Sequence, residues 1–446
     1  MTAHAETDTI FARASGPGRS GVAVYRVSGA EAHAFAGALG APAARPREAR
    51  LSVLRDPESG ETIDSGLVIL FESPASFTGE DVAEFHLHGS HAVETALCEA
   101  LGRLGARPAG AGEFTLRALR NGKLDLAQVE ALADLVDAET SEQRRQALVQ
   151  LDGRLSAVAE GWRARLLTVL AALEADIDFP DEDDVPSAVA ARAGPEIDAL
   201  LNELRSYLED APRHRAIREG IAVAIIGAPN AGKSSLINRL AGSDVAIVSE
   251  RPGTTRDVLT ARLDLSGVPV TLADTAGLRN TYTDEIEEEG MRRAQAQAET
   301  ADIRIGVADP AVGVPRETLK LLKKHDFLLW NKADLGTPAP EPAPEGLRVL
   351  TISARTGAGA PAFLDMLAEE VGERCGSGGG AALTHIRHQR AVEEAVAALE
   401  RARNEAAPEL AAEDARLAAR ALGQITGAVG VEDVLGEIFA SFCIGK

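Results

Sequence analysis

The segment Gly227-Ala-Pro-Asn-Ala-Gly-Lys-Ser234 constrains this chain more than any other. It follows the apolar run Ile221 to Ile226 and leads into Ser235-Leu-Ile-Asn-Arg-Leu240, the strand, loop and helix setting that a phosphate-binding loop requires. Its glycines let backbone N–H groups from Asn230 through Ala231, Gly232, Lys233, Ser234 and Ser235 surround phosphate oxygens, and the helix N-terminus adds its dipole. Lys233 is placed to neutralise β and γ oxygens, and the Ser234 hydroxyl to ligate magnesium. An ordinary glycine turn is the competing reading, but spacing and context agree on the phosphate loop. Further apolar runs at Val268 to Ala273, Ile303 to Val307, Phe327 to Trp330 and Val349 to Ile352 each end in a polar or glycine-rich loop. Alternation of this kind predicts a parallel α/β sheet.

The remaining elements of a guanine-nucleotide switch stand in the right order. Asp274-Thr275-Ala276-Gly277 ends a strand, where the Asp can organise a magnesium shell and the Gly N–H can sense a γ-phosphate. Asn331-Lys332-Ala-Asp334 follows Phe327 to Trp330, and a carboxylate there can accept from both N1–H and the exocyclic amine of guanine; adenine offers no such donor pair. Ser353-Ala354 fits a loop closing over the base. Each short motif alone is weak, but the four together specify guanine. Gly253-Thr-Thr-Arg-Asp257 lies where a mobile switch belongs, with Thr255 as a second magnesium hydroxyl. Leu278 stands where Ras-like enzymes carry a water-orienting Gln, and a leucine cannot hold the nucleophile. Among Glu285, Glu287, Glu288 and Glu289, a carboxylate can substitute, although most of these read as a solvated helix face. Arg256 and Arg279 can neutralise transition-state charge, surface pairing being the simpler reading.

The chain has 446 residues, which points to about three domains, and its 45% hydrophobic content supplies packed cores. Its 46 Lys and Arg against 68 Asp and Glu give a net charge of −22, which repels polyanions and excludes a generic nucleic-acid-coating protein. Cys98, Cys375 and Cys443 have no paired spacing, which argues against a disulfide framework or a zinc knuckle. No stretch reaches the ~18 apolar residues of a membrane span and residues 1–13 contain no signal-like apolar core, so the reading is cytoplasmic without membrane contact. Before the α/β unit, short runs at Gly21 to Val27, Gly66 to Phe71 and Val82 to Leu87, with a helix near Ala92 to Leu104, predict an α+β domain. From Leu124 apolar residues step by three or four; Phe179 to Asp184 breaks the pattern, and Ala188 to Leu208 resumes it. After Gly376-Ser-Gly-Gly-Gly380, helical sequence returns. Stripes on both sides of the α/β unit are most economically buried against each other, which makes that unit an insertion in a helical domain.

These motifs, with Phe77-Thr-Gly-Glu-Asp81, Gly112-Glu-Phe114, Lys123-Leu-Asp-Leu-Ala-Gln128, Asp274-Thr-Ala-Gly-Leu-Arg279 and the tail Cys443-Ile-Gly-Lys446, resemble the MnmE (TrmE) tRNA-modification GTPase family over essentially the full length. The resemblance implies a multidomain protein: an α+β N-terminal folate-binding and dimerisation domain (1–121), a discontinuous α-helical domain (122–218 and 375–446) and an inserted α/β P-loop G domain (219–374). It implies GTP hydrolysis activated by potassium-dependent pairing of G domains. Asn230, Ser249, Arg251 and Thr254 would hold potassium, Ser234 and Thr255 magnesium, and Glu287 the attacking water. It also implies that Arg26, Glu84, Lys123 and Lys446 line a site for 5-formyl-tetrahydrofolate or 5,10-methylene-tetrahydrofolate, with Cys443 nearby. From sequence alone, each of those four charges would be a surface charge. Further implied are a homodimer and an FAD-dependent partner of the MnmG (GidA) family, forming a heterotetramer that engages tRNA mainly as a complex and modifies the five position of wobble uridine. A regulatory or ribosome-assembly GTPase switch is the alternative, and folate binding separates the two. His86, His88 and His91 suggest a metal cluster only superficially; packing or hydrogen bonding is the plainer reading.

Overall fold

The computed structural model describes residues 8–41, 45–178, 187–247, 260–274, 295–340, 344–376 and 380–429, together with Leu435, Ile438, Phe439, Phe442 and Gly445. The chain divides into two compact units: Met1–Ala133 with Ser156–Leu167 and Ala419–Lys446, and Asp134–Leu155 with Thr168–Ala418.

The first unit is built on a six-stranded sheet of β1 (Ile10–Arg13), β2 (Ser20–Ser28), β3 (Arg50–Arg55), β4 (Thr62–Phe71), β5 (Val82–Gly89) and β6 (Arg107–Pro108), in the order β3-β4-β5-β2-β1-β6. All pairings are antiparallel except β1 with β6. Ala23, Tyr25 and Val27 of β2 and Ala83, Phe85 and Leu87 of β5 are buried, as period-two alternation requires of a one-sided core. Helices α1 (Ala32–Ala38) and α2 (His91–Arg103) cover that face with Ala32, Ala36, Leu97 and Leu101. Ser90 caps α2 by accepting from the Val93 N–H. The same alternation turns Arg26 and Glu84, which sit directly opposite across β2 and β5, to the other face. Helix α3 (Glu113–Arg120) follows, and its Leu116 and Leu119 pack with Val129, Phe439 and Phe442.

After α4 (Leu126–Asp137), α5 (Ser141–Leu151), α6 (Arg154–Asp178) and α7 (Ser187–Glu219), the second unit contains a six-stranded sheet. Its strands are β7 (Ile221–Ile226), β8 (Thr260–Leu265), β9 (Val268–Asp274), β10 (Ile303–Ala308), β11 (Phe327–Trp330) and β12 (Arg348–Thr351), in the order β12-β11-β10-β7-β9-β8. Five of the expected runs are strands and pair in parallel, as the alternation predicts. The sheet is nevertheless mixed, because β8, which the sequence reading omits, runs antiparallel to β9. A two-residue turn joins them, with Ser266 at φ 56 and Gly267 at φ +84, the left-handed pair that matches hairpin twist. A Cβ at Gly267 would also lie 2.7 Å from Glu142 Cγ, so another residue there would have to push that side chain aside.

Further helices are α8 (Lys233–Ala241), α9 (Arg316–Leu321), α10 (Ala360–Cys375), α11 (Ile386–Asn404) and α12 (Pro408–Thr426), and residues 295–300 are also helical. The helix expected over Ala188 to Leu208 extends to Glu219 and contains Pro195 and Pro212, while the break at Phe179 to Asp184 lies outside the described residues. Helices α7 and α11 pack together, with Arg403 Nε 2.8 Å from Asp198 Oδ1 and Arg205 Nη2 2.6 Å from Glu400 Oε1. The two helical segments that flank the α/β layer thus cover each other's stripes. Residues 134–150 hold both chain crossings into that layer. Asp134 accepts from Arg218 Nε at 2.9 Å and lies 3.0 Å from His385 Nε2, and Gln150 Nε2 donates to Ala382 O and Thr384 Oγ1, both at 2.8 Å. Among the described residues no helix is long and apolar enough to cross a membrane.

Candidate functional site

Between β7 and α8 the loop is shaped by its glycines. Gly227 has φ +152, and a Cβ there would collide with the Val307 carbonyl; Gly232 has φ +99, and a Cβ would collide with Asn331 Nδ2. Asn230 is left-handed at φ 61, which Asn tolerates better than most residues. Lys233 is buried, and its Nζ donates to the carbonyls of Gly227 and Ala228, both at 2.9 Å. The loop's own start therefore fixes the ammonium group. Ser234 and Ser235 are exposed in the first turn of the nine-residue α8. Ala231 is buried against the sheet core.

The loops after β11 and β12 bond to this one. Buried Asn331 donates from Nδ2 to Ala231 O at 2.8 Å and accepts at Oδ1 from the Ala354 N–H at 2.9 Å. Lys332, at φ 66, reaches Asp309 with Nζ 2.7 Å from Oδ2, and this hydrogen bond holds the Asp309 carboxyl below its ordinary range. Ser353 Oγ donates to Asp334 Oδ1 at 2.5 Å, and Arg355 Nη2 lies 2.7 Å from Asp334 Oδ2. The Ser353 hydroxyl foremost, with Arg355 beside it, keeps the Asp334 carboxyl ionised and its pKa below the usual carboxylate range. From α8, Arg239 donates to the carbonyls of Ala354 (3.3 Å) and Arg355 (2.6 Å). Phosphate loop, Asn331–Asp334 and Ser353–Ala354 thus form one bonded block. Sequence reasoning missed Arg239, Asp309 and Arg355, whose partners lie 116, 23 and 21 residues away.

Asp274 closes β9, its backbone in register with Ile225 on the strand that feeds the phosphate loop. Ser249, Arg251, Thr254, Thr255, Thr275, Ala276, Gly277, Glu287, Cys443 and Lys446 lie outside the described residues, as do Leu278, Arg256, Arg279 and the neighbouring glutamates.

In the first unit, Arg26 and Glu84 form a forked pair, with Nε and Nη2 of Arg26 3.0 and 2.9 Å from Glu84 Oε1. The Arg26 guanidinium lies 5.2 Å from the Phe77 ring centre and 5.6 Å from that of Phe114. Lys123 Nζ donates to Pro74 O at 3.0 Å, so the 74–81 loop joins these residues. That loop is pinned at Thr78 and Glu80: Ser28 Oγ lies 2.7 Å from each, Asn121 donates to Thr78 O, and Arg117 pairs with Glu80 at 3.1 Å. Arg117 and Arg107 also hold Glu113; burial pushes this carboxyl up, but Arg107, the Gly110 N–H and Arg117 outweigh it and lower its pKa to about 2. His88 Nδ1 lies 2.9 Å from Asp64 Oδ1, His86 Nε2 lies 3.6 Å from Glu84 Oε2, and His91 opens α2. Gly445 has φ +106 and packs on the Arg13 carbonyl so closely that a Cβ would collide with it.

A phosphate loop in a strand–helix junction, tied by hydrogen bonds to an Asn-Lys-x-Asp loop on the same sheet edge, defines a P-loop GTPase unit within a larger multidomain chain. Residues 9–123 match the family model of the GTP-binding protein TrmE N-terminus, and residues 126–443 match that of the MnmE helical domain. The chain is 52% identical over 447 residues to the tRNA modification GTPase MnmE of Parvibaculum lavamentivorans, covering 98% of this chain and 100% of that protein. It is 50% identical over 443 residues to that of Paramagnetospirillum magneticum (99% and 100% covered), and 49% identical over 442 residues to that of Maricaulis maris (98% and 99%). The chain belongs to the MnmE family of tRNA modification GTPases and is a GTP-binding hydrolase of that process.

Proposed function

We propose that the block joined by Asn331 is the nucleotide site, with the base read by Asp334 and the triphosphate gripped around Lys233. The observation that carries this reading is the pair of Asn331 bonds, which tie the phosphate loop at Ala231 to the base-side loop at Ala354. Water attacks the γ-phosphate in line; Lys233 and backbone N–H groups from Asn230 to Ser235 stabilise the charge that develops on its oxygens. The exposed Ser234 hydroxyl, a hard oxygen donor at the first turn of α8, fits magnesium, with Thr255 as the second hydroxyl and Asp274-Thr275-Ala276-Gly277 around it. Magnesium, when bound, supplies charge neutralisation across the β and γ phosphates. Asn230, Ser249, Arg251 and Thr254 hold potassium where two G domains pair, and Glu287 orients the water. Asn331, Lys332, Asp334, Ser353 and Ala354 frame guanine.

In the first unit the Arg26–Glu84 fork, flanked by the Phe77 and Phe114 rings, suits a flat pterin: Glu84 can accept from its amine, and Arg26, Lys123 and Lys446 can pair with folate carboxylates. A tetrahydrofolate bound there supplies the one-carbon unit. This favours a modifying enzyme over an assembly switch, which has no use for such a site. The homodimer acts in the cytoplasm with an FAD-dependent MnmG-type subunit on wobble uridine of certain tRNAs, and at −22 it relies on a more basic partner to hold tRNA. Measuring GTPase rate in potassium and in sodium at equal ionic strength tests the pairing model; a higher rate in potassium is expected, and equal rates would remove it.

A further inference from the structure

We propose that Arg355 competes with the guanine base for the Asp334 carboxylate and thereby sets nucleotide affinity. This rests on the reading of Asp334 as the guanine acceptor.

Guanine uses both carboxylate oxygens, one for N1–H and one for the exocyclic amine. In the structure Oδ1 accepts from Ser353 Oγ at 2.5 Å, and Oδ2 lies 2.7 Å from Arg355 Nη2. A carboxylate oxygen has lone pairs enough for a hydroxyl and a ring N–H together, so Ser353 and the base can share Oδ1. Arg355 meets Oδ2 through Nη2 alone, but its guanidinium is far bulkier than a hydroxyl and, with Arg355 exposed and Asp334 mostly covered, it stands on the open side of the carboxylate, so Arg355 and the base crowd each other at Oδ2.

The exchange is confined to one side chain. Arg239 fixes the carbonyls of Ala354 and Arg355, and the Thr356 N–H donates to Ser353 Oγ at 3.1 Å, so the backbone stays in place. The Arg355 side chain is 75% exposed while that of Asp334 is 12% exposed, so the arginine can swing into water without disturbing a core. Base binding then draws on the fraction of molecules in which Arg355 has left Asp334, which lowers apparent affinity by that fraction. An exposed ion pair is weak, so the effect is two- to fivefold in Kd. Its sign is diagnostic: on a chain of net charge −22, removing a cation near an anionic nucleotide would by Coulomb's law alone weaken binding, whereas competition makes it tighter.

The test measures Kd for GDP with magnesium on the full chain carrying Arg355→Met, which keeps the apolar stem, or Arg355→Lys, which keeps the charge. Competition predicts a two- to fivefold lower Kd for R355M and a Kd near wild type for R355K. An R355M Kd equal to or above wild type, or equal tightening by R355K, would overturn it. Asp334→Asn in the same series tests the underlying reading, since an Asn amide favours xanthosine diphosphate over GDP. D334N binding GDP like wild type would sink both ideas, whereas D334N weakened and R355M unchanged would sink the competition alone.

Discussion

The Asn331 side chain donates from Nδ2 to the Ala231 carbonyl at 2.8 Å, across 100 residues of sequence, while its Oδ1 accepts from Ala354. One buried amide therefore sets the spacing between the phosphate loop and the Ser353–Ala354 loop proposed to frame the base. Truncating it leaves a buried carbonyl and a buried N–H unpaired, at about 1–3 kcal/mol. Asn331→Ala is expected to raise the Kd for GDP by roughly 10- to 100-fold with the fold retained, as read by nucleotide titration and circular dichroism. An unchanged Kd would show that the two loops are set independently.

Gln150 plays the corresponding part where the chain leaves the α/β layer. Its amide donates to both Ala382 O and Thr384 Oγ1, and the residue is 1% exposed. Gln150→Ala should cost about 1–3 kcal/mol, read as a lower urea midpoint at unchanged slope. A midpoint within error of wild type would mean that this crossing is held elsewhere.

These two residues mark what the sequence discloses and what it hides. Gly232, Lys233 and Asp334 stand out in the sequence because the phosphate loop and the carboxylate proposed to read the base are short motifs with fixed residue types at local spacing. The parallel strands are legible too, as bare apolar runs. Strand β8 escapes that criterion because it has no bare apolar run, although Thr260–Leu265 alternates polar and apolar residues and a Ser-Gly turn joins it to β9, both marks of an edge hairpin. Gln150 and Arg355 read as surface polar residues until the fold brings their partners from 232 and 21 residues away. Arg26 and Glu84, 58 residues apart, meet only through the β2–β5 register. No local pattern encodes such pairs.

Acid should weaken the first unit through Glu113. Its pKa falls from the ordinary 4.5 to about 2 in the fold, so the ionised form contributes stability above pH ~4.5 that is lost as pH drops from there to about 2. Allowing for solvent screening, the contribution is about 1–2 kcal/mol. Glu113→Gln is expected to melt lower at pH 7 and to show a flatter decline between pH 4.5 and 2. Parallel acid limbs for wild type and E113Q would contradict this.

Two glycines seat the C-terminal residues in that same unit. Gly112 has φ +66 and would bring a Cβ to 2.5 Å from Phe439 Cδ1, and Gly445 stands against the Arg13 carbonyl. Gly445→Ala or Gly112→Ala should each cost about 1–3 kcal/mol through backbone strain and displaced contacts, seen as a lower thermal midpoint. Under the folate proposal both should also weaken 5-formyl-tetrahydrofolate binding, and wild-type values for either variant would show that the tail packs differently.

Calorimetric titration of the full chain with GDP and with ADP, in magnesium and at matched concentration, most directly tests whether Lys233 grips a nucleotide whose base Asp334 selects. One GDP per chain with no detectable ADP uptake is predicted, together with loss of GDP binding in Lys233→Ala. Equal binding of the two nucleotides, or binding of neither by the folded wild-type chain, would contradict the account.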